Sequence, residues 1–451
     1  MDSAIKANNL LAVNDYRPIL HRIREQKRKV YDLYRHKGLH LNGDGCDRIK
    51  DVLVILSSSR SGSSYLYSLL KQVPGIFGPR GELTPFYKLN GIVKDDRPSE
   101  RIPPGGYSGE NLQDLKRDII YDLADTDDLD FSIDIDTDIY ALDVALRFIM
   151  QWPCTTFDIE SLIRIIRRTI HDADPIRDTH RFYIDVITAM NELYPHINPH
   201  YYDIPSRYIP DRWPKPWGPH STFTVEDSPL IMARPKRHRE DVRNGILVLK
   251  TPTDSYRVDT LRAMFPCARF HILHLTRNPA GCINGLYDGW LDRGFFSRNM
   301  SFVEGFEGLD IKGYSNAESW SRQWWNYDLP DDWQALRSKH LEEVCAHQWI
   351  SANEQILTVL RENPGDSLTV RYEDLTRDTR SYQKEIERIV RFIGLSLDRE
   401  KRLVSEPVQC TARPAKLRWI KRKSIILPVL EERRIQMLMK RLGYTDKSGW
   451  I

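Results

Sequence analysis

The stretch Asp51-Val-Leu-Val-Ile-Leu56-Ser-Ser-Ser-Arg60-Ser-Gly62-Ser-Ser64-Tyr-Leu66 decides how the rest of the chain is read. Val52 to Leu56 is an unbroken apolar run. A strand with one wet face would alternate polar and apolar residues. This one is expected to be buried on both faces, in a parallel sheet. Ser57 to Ser64 is too polar to continue the strand. Leu66, Leu69, Leu70 and Val73 then form one helical stripe, stopped by Pro74-Gly75. A turn of this kind exposes backbone N–H groups and aims a helix N-terminus at its occupant, which suits a phosphate or sulfate. Arg60 adds a charge that can fork onto anionic oxygens, and the serines around Gly62 add hydroxyl donors. The GxxxxGK[ST] pattern is absent. The plainer alternative is an ordinary strand-to-helix turn with Ser63 or Ser64 as its cap.

The same rhythm returns later. Gly245-Ile-Leu-Val-Leu-Lys250 reads as a strand ending in Thr251-Pro252, followed by a helix with Val258, Leu261 and Phe265 on one face. Arg269 to Leu275 reads as a third strand, with Thr276-Arg277-Asn278-Pro279 and another helix after it. Ser367 to Val370 leads through Arg371-Tyr-Glu-Asp374 to a helix carrying Ile386, Ile389, Val390 and Ile393, closed by Gly394. Strands alternating with helices imply an α/β fold: a parallel sheet flanked by helices.

Two stretches break the rhythm, at about 90–243 and 291–350. The first holds an acidic run from Asp125 to Asp138 and a segment rich in Pro, Tyr, Trp and His. The acidic run lacks the spacing and glycine of an EF-hand and reads as solvated surface. The second is dense in tryptophan: Trp320, Trp324, Trp325, Trp333 and Trp349. Both read as insertions on the sheet scaffold, mainly helical and forming a cap over the ligand site. Core packing between helices is the simpler role for the tryptophans. Residues 16–36 form an amphipathic, basic helix docked on the body. The expected division is an N-terminal helical extension at 1–48 and one domain at 49–451 that carries both insertions.

The chain has 451 residues, 41% hydrophobic and 29% charged, so it can bury a sizeable core. Lys+Arg 66 against Asp+Glu 63 gives +3, which argues against nucleic-acid binding by bulk charge. Apolar runs fall far short of the ~20 residues a membrane span needs. The N-terminus lacks a basic-then-apolar leader. Six cysteines without CxxC pairing argue against a disulfide framework or a zinc site and fit a reducing cytoplasm.

The turn from Leu53 to Leu66 resembles the 5′-phosphosulfate loop of sulfotransferases that use 3′-phosphoadenosine 5′-phosphosulfate (PAPS). Three further pieces are similar to that family, in the same order. Val248-Leu-Lys250-Thr-Pro252 with Phe265-Pro-Cys-Ala-Arg-Phe270 resembles its lysine-bearing strand and next helix. His274-Leu-Thr-Arg277-Asn-Pro279 resembles its 3′-phosphate motif. Arg371-Tyr-Glu-Asp-Leu375 with Ile393-Gly-Leu395 resembles its C-terminal helix unit. The resemblance covers the sheet core, around half of the chain, and implies a P-loop-like sheet, PAPS as donor and a small-molecule acceptor. It implies Ser59, Arg60, Ser61, Gly62, Ser63, Ser64 and Arg277 as nucleotide contacts. A C-terminal basic segment folds over the nucleotide in this family, and within Lys416 to Lys423 the corresponding contact would be Arg418. Two departures stand out. Gly285 occupies the place of a serine that usually follows the 3′-phosphate arginine, where Asn284 or a backbone N–H can substitute. Asp254 stands where many relatives carry a histidine.

Sulfuryl transfer needs alignment, charge stabilisation on the bridging oxygen and a base for the acceptor proton. Arg60 and Lys250 can supply the positive charge, so no metal is needed. Glu82, in the return loop Gly78-Pro-Arg80-Gly-Glu82-Leu83, matches the general base of some bacterial sulfotransferases; an ion pair with Arg80 is the alternative for it. His220 and His347 are rivals as base. His271 and His274 lie in a central strand and read as core residues. Two other functions stay open: a phosphotransferase, which would need the missing Walker lysine and a Mg²⁺ aspartate, and a non-catalytic module that keeps the nucleotide cradle.

Overall fold

The first strand, β1 (Asp51–Leu56), is the centre of a five-stranded, all-parallel sheet. The computed structural model describes residues 16–39, 43–123, 136–173, 176–226, 229–233, 245–397, 403–404 and 415–450. The strands are β1, β2 (Ile76–Phe77), β3 (Ile246–Leu249), β4 (Arg269–Thr276), β5 (Arg298–Asn299), β6 (Trp324–Trp325) and β7 (Ser367–Arg371). The main sheet runs β2-β3-β1-β4-β7, while β5 and β6 form a separate antiparallel ribbon. Val52 lies opposite Leu247 of β3 on one side and Phe270 of β4 on the other. The four strands read from the sequence are all present and parallel. The edge strand β2 was not anticipated, because two residues after Pro74-Gly75 carry no periodic signal.

The helices, in chain order, are α1 (Arg17–His36), α2 (Ser63–Leu70), α3 (Thr84–Leu89), α4 (Gly109–Leu123), α5 (Thr137–Gln151), α6 (Ile159–Asp172), α7 (Thr179–Met190), α8 (Val258–Met264), α9 (Pro279–Trp290), α10 (Leu341–Glu362), α11 (Tyr372–Thr376), α12 (Thr379–Phe392), α13 (Lys423–Leu430) and α14 (Arg433–Leu442). Alternate residues of β1 explain its unbroken apolar run. Val52, Val54 and Leu56 join Leu247, Leu249, Ile272 and the residues of α1 and α4–α7 in one core. Leu53 and Ile55 face the opposite way, into a second core with Val248, Leu273, Leu275 and the helices α2 and α12. Each such side chain contributes about 1.5–3 kcal/mol by leaving water. A charge at any one of them would therefore remove much of the fold's margin.

The 90–243 stretch is largely helical, α4 to α7. Most of its acidic run, Asp125 to Asp134, lies outside the described residues. The 291–350 stretch is turn-rich before α10 begins, and its tryptophans build a third core: Trp325, Trp333 and Trp349 pack with Trp290 of α9 and with α13 and α14. The two insertions are tied together by one buried carboxylate. Glu100 accepts from Arg298 at 3.1 Å and from the backbone of Leu329 at 3.3 Å, and it pairs with Arg257. Burial would raise this carboxyl, but Arg298 and Arg257 hold it below its ordinary range. The basic helix α1 docks through its apolar stripe and through Lys27, whose ammonium lies 2.5 Å from Asp118. No helix among the described residues is long and apolar enough to cross a membrane.

Candidate active site

After Leu56 the chain turns through Ser57–Gly62 into α2. Two residues of that turn adopt left-handed backbone, Arg60 with φ +66° and Gly62 with φ +92°. Glycine suits such a conformation, whereas for arginine it costs about 1–2 kcal/mol. Neighbours hold Arg60 there. Arg277 Nη1 donates to its carbonyl at 3.0 Å. Its stem lies over Gly285, where an added Cβ would come within 3.0 Å of Arg60 Cβ. This accounts for the missing serine: a side chain at 285 would crowd Arg60. At Gly62 a Cβ would fall 2.4 Å from the Tyr372 ring, so only glycine fits. The Ser58 and Ser61 hydroxyls are 2.7 Å apart, and Ser61 Oγ lies 3.3 Å from Cys282 Sγ, pinning the turn to α9. Ser59, Ser61 and Ser63 are buried, and the buried hydroxyl of Ser57 has no partner among the described residues.

Glu82 arrives at this turn from the β2 side. The Tyr67 hydroxyl of α2 donates to the carbonyl of Pro79, and the Leu83 amide donates to Thr251 Oγ1 at 2.9 Å. These bonds fasten the return loop to the end of β3. Lys250 stands one residue beyond β3, 5% exposed, with Nζ 2.5 Å from Glu82 Oε1 and 2.9 Å from Ser64 Oγ. Glu82 is 27% exposed. Arg80 turns away from it: its backbone amide donates to Asp122 and Nη1 to the Met232 carbonyl. The carboxylate thus pairs with the lysine of the next strand rather than with its neighbour in sequence.

Arg277 follows β4 on the other side of the turn. Its guanidinium lies 4.5 Å above the Tyr372 ring, and its buried Nε has no hydrogen-bond partner among the described residues. The turn after it is fixed by Glu373, whose Oε1 accepts from the Asn278 amide at 2.9 Å and from Asn278 Nδ2 at 2.8 Å. Tyr444 holds the second oxygen of Glu373 at 2.9 Å. The Arg371-Tyr-Glu-Asp-Leu375 stretch therefore works through Tyr372, which backs both Gly62 and Arg277, and through Glu373, which sets the start of α9.

The basic C-terminal segment lies on α9. Arg418 Nη2, Arg422 Nη1 and Lys421 Nζ stand 2.6, 2.7 and 3.2 Å from the oxygens of Asp288. Burial would raise the Asp288 carboxyl, but Arg422 and Lys421 keep it below its ordinary range. Arg422 also donates to Asn284 at 2.6 Å and covers the Tyr287 ring. Three cations on one carboxylate leave a net positive surface one helical turn from Gly285. The preceding residues 409–414 lie outside the described residues.

The structure thus brings Arg60, the Ser57–Ser64 turn, Glu82, Lys250 and Arg277 to one carboxyl edge of the sheet, with Arg418 on the neighbouring helix. Four further charged side chains, not singled out as site residues from the sequence, lie near this edge: Arg422, Lys421, Asp254 and Asp328. Asp254 is fully buried in the turn Pro252–Tyr256. Asp328 comes from the tryptophan-rich stretch and faces Ser59. Burial and Glu100 raise it to about 7 against the lowering effect of Tyr256 and Ser59. Tyr327 beside it has φ +64°. No spacing rule could reveal Asp328, since it reaches the site by tertiary packing alone. Arg422 and Lys421 were within the basic stretch, but only the helical register separates them from their neighbours.

The histidines lie elsewhere. His220 is buried between Trp152 and Tyr201, and burial pushes it down to about 4. His347 pairs with Asp332 at 2.9 Å. His271 faces Asp51 and His274 faces Asn353, both within β4 as core residues.

Residues 258–427 match the model of the sulfotransferase domain family. No curated protein matches the chain. Among solved structures, the chain is similar to the sulfotransferase domain from the curacin biosynthetic pathway, at 12% identity and TM-score 0.37 over 88% of this chain and 98% of that one. It is also similar to the sulfotransferase domain of the Synechococcus PCC 7002 olefin synthase, at 16% identity and TM-score 0.29 over 77% and 76%. A sulfotransferase from Mycobacterium tuberculosis matches at 13% identity and TM-score 0.30 over 84% and 76%.

Proposed function

Starting from a chain whose residues 258–427 match the sulfotransferase domain, we propose that the protein transfers a sulfuryl group from PAPS to a hydroxyl or amine of a small-molecule acceptor. The supporting observation is the convergence of the Ser57–Ser64 turn, the Lys250–Glu82 pair and Arg277 at one sheet edge. The residues fit such a donor. The buried Ser57 hydroxyl and Arg277 Nε lack partners among the described residues, and both border a turn ringed by cations. In this reading Ser59, Arg60, Ser61, Gly62, Ser63 and Ser64 hold the 5′ end, and Arg277, with Arg418 nearby, holds the 3′-phosphate. When bound, PAPS supplies the sulfuryl group.

Glu82 accepts the acceptor's proton. It is partly exposed, so an acceptor can reach it, and its pairing to Lys250 holds the carboxylate in place. As it gains the proton it loses its hold on the Lys250 ammonium, only 2.5 Å away. Lys250, which also donates to Ser64 Oγ, then turns toward the oxygen on which charge builds. Arg60, in the Ser57–Ser64 turn, supplies a second positive charge at the same sheet edge. These two groups carry the charge role, so turnover proceeds without a metal ion.

The division into a helical extension at 1–48 and a catalytic domain at 49–451, with the insertions capping the acceptor, belongs to the same proposal, as do an acceptor of specialised metabolism and a cytoplasmic setting. Glu100 supports the cap, since it joins both insertions beside Arg257. Calorimetry with the desulfated product, 3′-phosphoadenosine 5′-phosphate, tests the donor assignment. It should bind well below the dissociation constant of ATP, and ATP bound equally tightly would overturn it.

A further inference from the structure

The turn that follows Lys250 carries a second carboxylate. Asp254 is wholly buried, where a carboxyl is rare unless paired. Its Oδ1 accepts from the Tyr87 hydroxyl at 3.0 Å, and its buried Oδ2 has no hydrogen-bond partner among the described residues. Tyr87 lies on α3, the helix that begins directly after Glu82-Leu83. Thr251, three residues before Asp254, takes the Leu83 amide. The Lys250 turn and the Glu82 loop are therefore stitched together at two points, and Asp254 forms one of them.

We propose that Asp254 is a positioning residue for the reaction: it fixes the Glu82 loop through Tyr87, and its negative charge, when present, acts on the nearby Glu82 carboxylate. The inference rests on the reading of Glu82 as the base. Tyr87 faces Asp254 from α3, Arg257 from the end of its own turn, and Glu82 from the return loop, with the Thr251 hydroxyl beside it. Arg257 is itself engaged by Glu100. Burial is the main influence and raises the Asp254 carboxyl to about 7. Arg257, Tyr87 and Thr251 lower it, and Glu82 raises it. Asp254 is thus neutral in weak acid and ionised in weak base. Its negative charge repels the Glu82 carboxylate and does not repel protonated Glu82, so the ionised form favours the step in which Glu82 gains the acceptor's proton.

The test uses full-length wild type, Asp254→Asn and Glu82→Gln. Asparagine still accepts from Tyr87 and cannot ionise. With ¹³C-carboxyl-labelled aspartate, the resonance absent from Asp254→Asn belongs to Asp254. Its midpoint should fall in Glu82→Gln. With PAPS and a chromogenic phenol, wild-type kcat should rise roughly three- to tenfold as pH passes through neutrality. Asp254→Asn should lack that rise while its affinity for 3′-phosphoadenosine 5′-phosphate stays unchanged. A midpoint indifferent to Glu82→Gln, or a pH profile of Asp254→Asn parallel to wild type, would overturn the inference. So would a folded Asp254→Asn that is inactive at every pH, because Asp254 would then be a reacting group. Wild type that transfers nothing to any phenol or amine would instead refute the function, and the carbon titration would still decide the Asp254–Glu82 link.

Discussion

Arg277→Ala separates the two ends of the nucleotide site. In the free protein this guanidinium spends Nη1 on the Arg60 carbonyl and lies on Tyr372, while its buried Nε stays unsatisfied among the described residues. The substitution therefore does two things. It removes the proposed 3′-phosphate contact, and it loosens a turn already strained at Arg60. A charge-assisted hydrogen bond is worth about 1.5–3 kcal/mol, or roughly 10- to 150-fold in affinity. Loosening the turn affects any ligand that uses it. Titration calorimetry with 3′-phosphoadenosine 5′-phosphate and with adenosine 5′-phosphate separates these effects, because both ligands share the turn and only one carries the 3′-phosphate. The first should lose about 10- to 150-fold more affinity than the second. Equal losses would mean that Arg277 serves only to brace Arg60, and the assignment of the 3′ end would be wrong.

Other outcomes follow from the same geometry. Glu82→Gln should lower kcat by roughly 10²–10⁴ with nucleotide affinity nearly unchanged, and Lys250→Ala should also lower kcat; near-full activity of Glu82→Gln across pH would exclude it as the base. Gly62→Ala must place a methyl group 2.4 Å from the Tyr372 ring at φ +92°, so denaturant unfolding should show a loss of about 2 kcal/mol or more, with nucleotide binding abolished. The pH dependence of stability has opposing parts. Asp254 and Asp328, each raised to about 7 by burial first, hold protons that the unfolded chain has released, so their contribution is present at low pH and is lost as pH rises from about 4 to about 7. His220 and His274, each lowered to about 4 by burial, oppose this by adding stability over pH 4 to about 6.5. Asp254→Asn should therefore gain on wild type by an amount on the order of a few kcal/mol as pH rises through that window, and parallel stability curves would contradict the burial argument.

The sheet was readable because burial on both faces leaves a simple mark. Val52 to Leu56, Ile246 to Leu249 and the later half of β4 are continuous apolar runs, and the polar turns after them could not be strands. The positions of Arg60, Lys250 and Arg277 followed, since each stands just beyond a strand and parallel strands end at one edge. Glu82 was placed correctly at that edge, yet its partner was not: Arg80 is nearer in sequence, while Lys250 is nearer across the β2–β3 pairing. Asp254 could be seen as a departure where relatives carry histidine, but its burial came only from packing against α3. Asp328 and Arg422 were beyond sequence reasoning for a similar reason. One reaches Ser59 through tryptophan packing without periodicity, and the other reaches Asp288 by the register of a short basic turn on α9. Of the tryptophans in the 291–350 stretch, Trp324, Trp325, Trp333 and Trp349 are interior, as core packing requires, while Trp320 is half-buried.

The central claim is transfer itself. Full-length protein, treated with chelator and supplied with sulfur-35-labelled PAPS and a panel of phenols, alcohols and amines, should move label onto at least one acceptor at an undiminished rate. Label retained wholly on the nucleotide despite tight binding would identify a binding module, and activity lost with chelator and restored by Mg²⁺ would favour phosphotransfer. Either result would contradict the account.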